Sequence, residues 1–296
     1  MAVKDTISAN AAEAARWGLV KFREALRMSL VGSDKRLTKL AERRDFDIPG
    51  PAGPLPSRLY VPDSAGAKSP LLLFFHGGGF VTCDLDTHDA FCHRLAEAGQ
   101  VRVVSCAYRL APEAAWPAQL DDAVAAARWI HKHAASIGGL PEQLAIGGDS
   151  AGGYLAAATA GRLPKAFKVQ MLVYPLLHLE DEVWADSLAT NTRILGRLAV
   201  RYIDTQLGPP DVHAPSLLEE GRLAALSTVI AVGGVLDPCA PDAKPITEGL
   251  RARGASVVFR EYPALVHGFG NMTHRFAEAR RAVAEIGELT GELLRA

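Results

Sequence analysis

Cysteine is scarce in this sequence: the 296 residues hold four, Cys83, Cys92, Cys106 and Cys239. None forms a CxxC pair, so no metal or redox motif built on that spacing is expected and free thiols are the default reading. Neither sign of charge is in surplus, with 32 basic residues against 33 acidic ones and a net charge of -1. A nucleic-acid partner would call for a basic excess, and none is expected. No run approaches 18 uninterrupted apolar residues, so no membrane-spanning helix is expected either. The N-terminus carries Asp5 and Glu13 and lacks a continuous apolar stretch, unlike a secretory signal. A cytoplasmic protein is the expectation.

What the chain does have is a core-forming composition, 49% hydrophobic and 22% charged, at a length that suits one large domain with an insertion. Ala11, Ala14, Ala15, Leu19, Phe22, Ala25, Leu26 and Leu30 recur at helical spacing and predict an N-terminal helix. A Pro/Gly-rich turn at 48–54 and the run 58–61 read as two short strands. Beyond them, six apolar runs (71–75, 101–107, 144–147, 171–174, 228–232 and 257–262) alternate with helical patterns at 87–98, 118–137, 151–162, 241–253 and 275–294. Runs that are apolar at nearly every position suit strands covered on both faces. The expected architecture is therefore α/β: a mostly parallel, eight-stranded sheet with helices on both faces. About fifty residues after Tyr174 show no strand pattern and contain a helix candidate at 194–207. A gap that long predicts a functional excursion. The expected organisation is an N-terminal helical cap segment, 1–44, and a catalytic domain, 45–296, with a cap insertion at about 178–215.

Directly after the run 144–147 comes Gly148-Asp149-Ser150-Ala151-Gly152-Gly153. This is G-x-S-x-G between a strand and a helix, the setting in which that pattern presents a nucleophilic serine. A serine on so sharp a turn needs neighbours two positions away without bulk, which Gly148 and Gly152 provide. The alternative is a glycine-rich turn binding an anion at a helix N-terminus. His76-Gly77-Gly78-Gly79 follows the run 71–75 and matches the HGGG loops that stabilise an oxyanion. The oxyanion hole is placed on Gly77, Gly78, Gly79 and Ala151, with Gly77 as the hinge and the amides of the other three as donors. A phosphate-binding loop would instead want Lys and Ser/Thr opening a helix, where Phe80-Val81-Thr82-Cys83-Asp84 stands.

The remaining members of a triad should lie at strand ends, acid before base. Asp237 follows the run 228–232 and His267 follows 257–262, so the catalytic set reads Ser150, Asp237 and His267. Asp242 is the rival acid and fits the start of a helix better. Of the other histidines, His131 and His133 read as solvated, and His88, His93 and His274 match no strand end. His178 and His213 fall in the presumed cap, within reach of a substrate but read as surface residues, and His76 is read as bracing its own loop.

Together these motifs resemble the hormone-sensitive-lipase-like esterases, the bacterial family IV group. The resemblance runs from about Arg58 onward. It includes Asp86-Thr87-His88-Asp89, Tyr108-Arg109-Leu110-Ala111-Pro112-Glu113, Asp237-Pro238 and His267-Gly268-Phe269 beside the two loops above. It implies an α/β-hydrolase fold with a helical cap and hydrolysis of short-to-medium acyl esters through a serine acyl-enzyme. It also implies no metal and no other cofactor, a small-molecule ester as the partner, and possible homodimerisation through a sheet edge. An amidase, formamidase or arylamide deacetylase would use the same triad. A non-catalytic receptor is the third reading, but the plant gibberellin receptors of this fold lack the family's catalytic histidine, whereas His267 is present. The family's Asp-Pro segment usually has a second Asp four positions after the first, whereas Cys239-Ala240-Pro241 places Asp242 one position later.

Overall fold

The computed structural model describes residues 18–31, 36–179, 197–209, 214–218 and 222–296. Eight strands form one sheet: β1 (Leu40–Gly50), β2 (Gly53–Pro62), β3 (Ser69–Phe75), β4 (Arg102–Cys106), β5 (Gly139–Asp149), β6 (Val169–Val173), β7 (Ser227–Gly233) and β8 (Val257–Tyr262). Their order is β1-β2-β4-β3-β5-β6-β7-β8. β1 and β2 form an antiparallel hairpin, β2 pairs antiparallel with β4, and every later pairing is parallel. The helices are α1 (18–30), α2 (Asp89–Gly99), α3 (Ala118–His133), α4 (Ala151–Arg162), α5 (Arg197–Leu207), α6 (Ala240–Ala252) and α7 (Ala277–Arg295).

The alternation along β3 shows why the sheet is covered twice. Leu71, Leu73 and Phe75 join a buried cluster with Leu120 and Ile130 of α3, Leu155 of α4 and Ile246 of α6. Leu72 and Phe74 join the opposite cluster with Leu95 of α2 and Val283 and Ile286 of α7. Burying side chains of this size contributes about 1.5–3 kcal/mol each, and here both faces of one strand gain it. The hairpin is longer than the two short strands expected from the sequence. Its outer strand, β1, is mostly exposed and carries Glu42, Arg43, Arg44, Asp45 and Asp47, so hydrophobic runs could not reveal its length.

The parallel register aligns the carboxyl ends of the central strands. Phe75 pairs with Gly148, Asp149 with Val173, Val173 with Ala231, and Gly233 with Tyr262. The loops leaving β3, β5, β7 and β8 therefore emerge side by side, where groups collect in open α/β sheets.

Two helices approach those loops. From α1, Arg23 donates to the carbonyls of Val81 (2.7 Å) and Ala111 (2.8 Å) and pairs with Glu113 at 2.7 Å. Arg27 pairs with Asp84 at 2.9 Å and also with Asp86. α5 brings Ile203 against Gly79, and the Leu207 carbonyl accepts the Trp116 N–H at 2.7 Å. The helix expected at 194–207 is thus seen from Arg197 onward. Most of the segment expected as the cap insertion, including His213, lies outside the described residues, as does the beginning of the N-terminal segment.

Candidate active site

β5 ends at Asp149, and α4 begins at Ala151, which leaves Ser150 alone to turn the chain. Its backbone sits at φ 51° and ψ -120°, a sparsely populated region costing about 1–3 kcal/mol for a residue with a side chain. Close packing around it holds this conformation. A Cβ on Gly152 would stand 2.0 Å from the Phe75 carbonyl oxygen, and one on Gly148 would stand 2.4 Å from the Gly152 carbonyl. Both neighbours must be glycine for the turn to close, as the sequence pattern demanded. The Ser150 N–H is tied to the Val173 carbonyl at 2.9 Å.

His267 arrives from the loop after β8 and Asp237 from the loop after β7. His267 Nδ1 lies 2.9 Å from Asp237 Oδ1, and Nε2 lies 2.9 Å from Ser150 Oγ. The carboxylate fixes the tautomer: Nδ1–H donates to Asp237, leaving Nε2 to accept the hydroxyl proton. Asp237 is itself held by two backbone donors, Gly233 N–H on Oδ2 at 2.7 Å and Cys239 N–H on Oδ1 at 3.1 Å. Burial by itself raises the pKa of Asp237. The charge and hydrogen bond of His267, together with the two amides, outweigh it and hold the carboxyl below its ordinary value. The Tyr174 ring packs against the imidazole with centroids 4.8 Å apart.

The glycine loop turns at Gly78 (φ 110°) and Gly79 (φ 63°), backbone angles that side chains rarely adopt. The Gly78 carbonyl accepts the N–H groups of Val81 and Thr82, which closes the loop on itself. The amides of Gly78, Gly79 and Ala151 have no hydrogen-bond acceptor among the described residues. Gly77 differs, because its N–H donates to Asp149 Oδ1 at 2.8 Å. Gly77 therefore shapes the loop and does not supply an oxyanion donor. His76 braces the same loop: its ring is 2.7 Å from the Gly77 carbonyl, stacks on Tyr108 at 4.5 Å, and is held neutral by burial, with a pKa lowered to about 4.

The rival groups have other partners. Asp242 accepts a hydrogen bond from His178 at 2.8 Å in the first turn of α6. His178 is buried, where a surface role had been expected. His88, which matched no strand end, lies fully buried behind the site, 3.1 Å from Asp149. No spacing rule pointed to it, although it stands within the Asp86-Thr87-His88-Asp89 motif. Among the described residues, one group of metal-type donors is close enough to share an ion, namely Asp237, Cys239 and His267. Two of these already bond each other, and burial pushes the Cys239 thiol far up, so a metal would have to displace the Asp237–His267 hydrogen bond.

A serine hydroxyl, a histidine oriented by a carboxylate and three amides without an acceptor among the described residues form an arrangement suited to acyl transfer. Comparison with known proteins points the same way. The model of an α/β-hydrolase-fold family matches residues 72–271. The carboxylic ester hydrolase LipN of Mycobacterium tuberculosis is 38% identical over 246 residues, covering 77% of this chain and 64% of LipN. The chain thus spans just under two thirds of that relative. Esterase LipI of the same organism is 38% identical over 76% of this chain and 74% of LipI. Among solved structures, an esterase of Pyrobaculum calidifontis superposes with a TM-score of 0.84 at 30% identity, over 94% of both chains.

Proposed function

Since this chain belongs to the α/β-hydrolase family, on its hormone-sensitive-lipase-like branch, we propose that it is a carboxylic ester hydrolase that forms an acyl-enzyme on Ser150. The observation that carries this reading is the position of His267, 2.9 Å from both Ser150 Oγ and Asp237 Oδ1. Ser150 Oγ attacks the ester carbonyl carbon as its proton passes to His267 Nε2, and Asp237 stabilises the resulting imidazolium. The carbonyl oxygen becomes an oxyanion against the N–H groups of Gly78, Gly79 and Ala151, each such donor contributing about 3 kcal/mol. His267 gives its proton to the departing alkoxide, leaving the acyl group on Ser150. Water, deprotonated by His267, then attacks the acyl carbon, and Ser150 regains its proton.

The helices α1 and α5 are read as parts of a cap. α1 is clamped by Arg23 and Arg27 to the segment after the glycine loop, and α5 sets Ile203 directly on Gly79. Such a cap limits the space above the oxyanion donors and favours short-to-medium acyl chains on a small-molecule ester. A homodimer would add a second copy at β8, an edge of the sheet. The reading is of a cytoplasmic enzyme, in keeping with the free thiols of Cys83, Cys92, Cys106 and Cys239.

The test is hydrolysis of p-nitrophenyl esters of graded acyl length beside the matched p-nitroanilides. Ester turnover with an optimum at short-to-medium chains, faster than the anilides, is expected. Faster cleavage of the anilides would reassign the protein as an amidase. Binding without turnover of either series would favour a receptor.

A further inference from the structure

The triad leaves unexplained a second buried pair just behind it. Asp149, the residue before the nucleophile, and His88, from the Asp-Thr-His-Asp motif, are both closed off from solvent. His88 Nε2 lies 3.1 Å from Asp149 Oδ1 and 3.3 Å from Oδ2, so that nitrogen carries its proton toward the carboxylate. The other ring nitrogen is 3.0 Å from Thr87 Oγ1. Asp149 has one further donor, the Gly77 N–H, which reaches Oδ1 at 2.8 Å. The Asn271 side-chain amide lies 3.0 Å from His88 Nε2.

One carboxylate thus touches, directly or through His88, the loop bearing Gly78 and Gly79 and, at Asn271, the segment that follows His267, while its own backbone leads into Ser150. Its contact with the oxyanion loop is close enough to require glycine there, since a Cβ on Gly77 would stand 2.6 Å from Asp149 Oδ2. Burying two polar groups against each other is a weak source of stability, because desolvation offsets most of their attraction. What donors converging from separate loops supply is register. Register matters here because an error of about 1 Å in a reacting group can cost about 100-fold in rate.

We propose that Asp149, seated by His88, is a positioning residue for ester hydrolysis: it sets the height of the Gly78 and Gly79 amides over Ser150 and, through His88 and Asn271, the placement of the His267 loop. This rests on the reading of Ser150 as the nucleophile. Asparagine does not reproduce this: with its oxygen on the Gly77 N–H, its NH2 group faces His88 Nε2, which must then give up its proton.

Asp149→Asn in the full chain tests the assignment with two readouts: the kinetics of p-nitrophenyl acetate hydrolysis, and inhibition by an alkyl trifluoromethyl ketone. That inhibitor forms a tetrahedral adduct on the nucleophile and so reports on the oxyanion donors. The expected result is a kcat lower by about 100-fold with KM changed by less than about threefold, and an inhibition constant raised in parallel with the loss of kcat/KM. A kcat within about threefold of wild type, or a fall in kcat with unchanged inhibitor affinity, would overturn the proposal. If Asp149→Asn does not fold, His88→Phe keeps a ring of similar size and removes the Nε2 contacts to Asp149 and Asn271. It should lower kcat by about tenfold with the same parallel rise in the inhibition constant, and a wild-type kcat there would overturn the proposal. Activity surviving in Ser150→Ala would instead refute the nucleophile assignment, an outcome that a failed Asp149 link does not produce.

Discussion

Ser150→Ala is expected to reduce kcat for p-nitrophenyl acetate by about 10⁶-fold while leaving the fold intact. Its Oγ has one hydrogen-bond partner among the described residues, His267 Nε2 at 2.9 Å. The backbone that presents it is held by Val173 and by the tight fit of Gly148 and Gly152. Alanine keeps a Cβ at φ 51°, so the strain already present in the turn is unchanged. The oxyanion amides also remain, and donors of that kind sustain a residual rate about 10³–10⁴ above water. The check is kcat beside an unfolding midpoint: a collapse in rate with an unmoved midpoint is the predicted pair. Loss of both would show that the serine is needed for folding.

Asp237→Asn is expected to lower kcat by about 10⁴-fold with little change in KM. Three donors meet this carboxylate: His267 Nδ1–H and Cys239 N–H on Oδ1, and Gly233 N–H on Oδ2. An asparagine has one acceptor oxygen. If that oxygen stays with Gly233, the NH2 group faces His267 and forces the tautomer with its proton on Nε2. That nitrogen can then no longer take the proton of Ser150. If the amide turns round, its NH2 is driven against the Gly233 N–H at a contact of 2.7 Å. The first arrangement disables the base, the second displaces the side chain that orients it, and both remove the charge that stabilises the imidazolium while leaving the substrate pocket alone, so the loss belongs in kcat. A matching rise in KM would mean that Asp237 shapes the pocket instead.

How far the sequence was legible follows from how local each feature is. The Ser150 turn is specified within six residues, because steric clearance at Gly148 and Gly152 is a nearest-neighbour requirement. One further rule, that functional groups gather where parallel strands end, pointed to His267 and Asp237, which the structure brings to Ser150, and their strands are apolar enough to be recognised. The two hairpin strands, β1 and β2, were foreshortened because β1 is an exposed edge whose charges resemble a loop. Gly77 illustrates a different limit. The sequence set Gly77 apart as the hinge but could not show what holds it, because its N–H is bonded to Asp149, 72 residues away in sequence. The same distance hid His88. Its motif was visible, but the carboxylate that gives it meaning is joined to it only by the fold. His178 was placed on the surface for lack of any sign of Asp242, its partner 64 residues on.

The most direct test of the central claim is to find where the covalent intermediate forms. Purified wild-type protein would be treated with a p-nitrophenyl alkylphosphonate, which mimics the tetrahedral state but is not readily released, and the adduct located by peptide mass spectrometry. One phosphonyl group per chain on the peptide containing Ser150, appearing in step with loss of esterase activity, is the predicted result. Inactivation with the label on any other residue, or full esterase activity retained by protein labelled at Ser150, would contradict it.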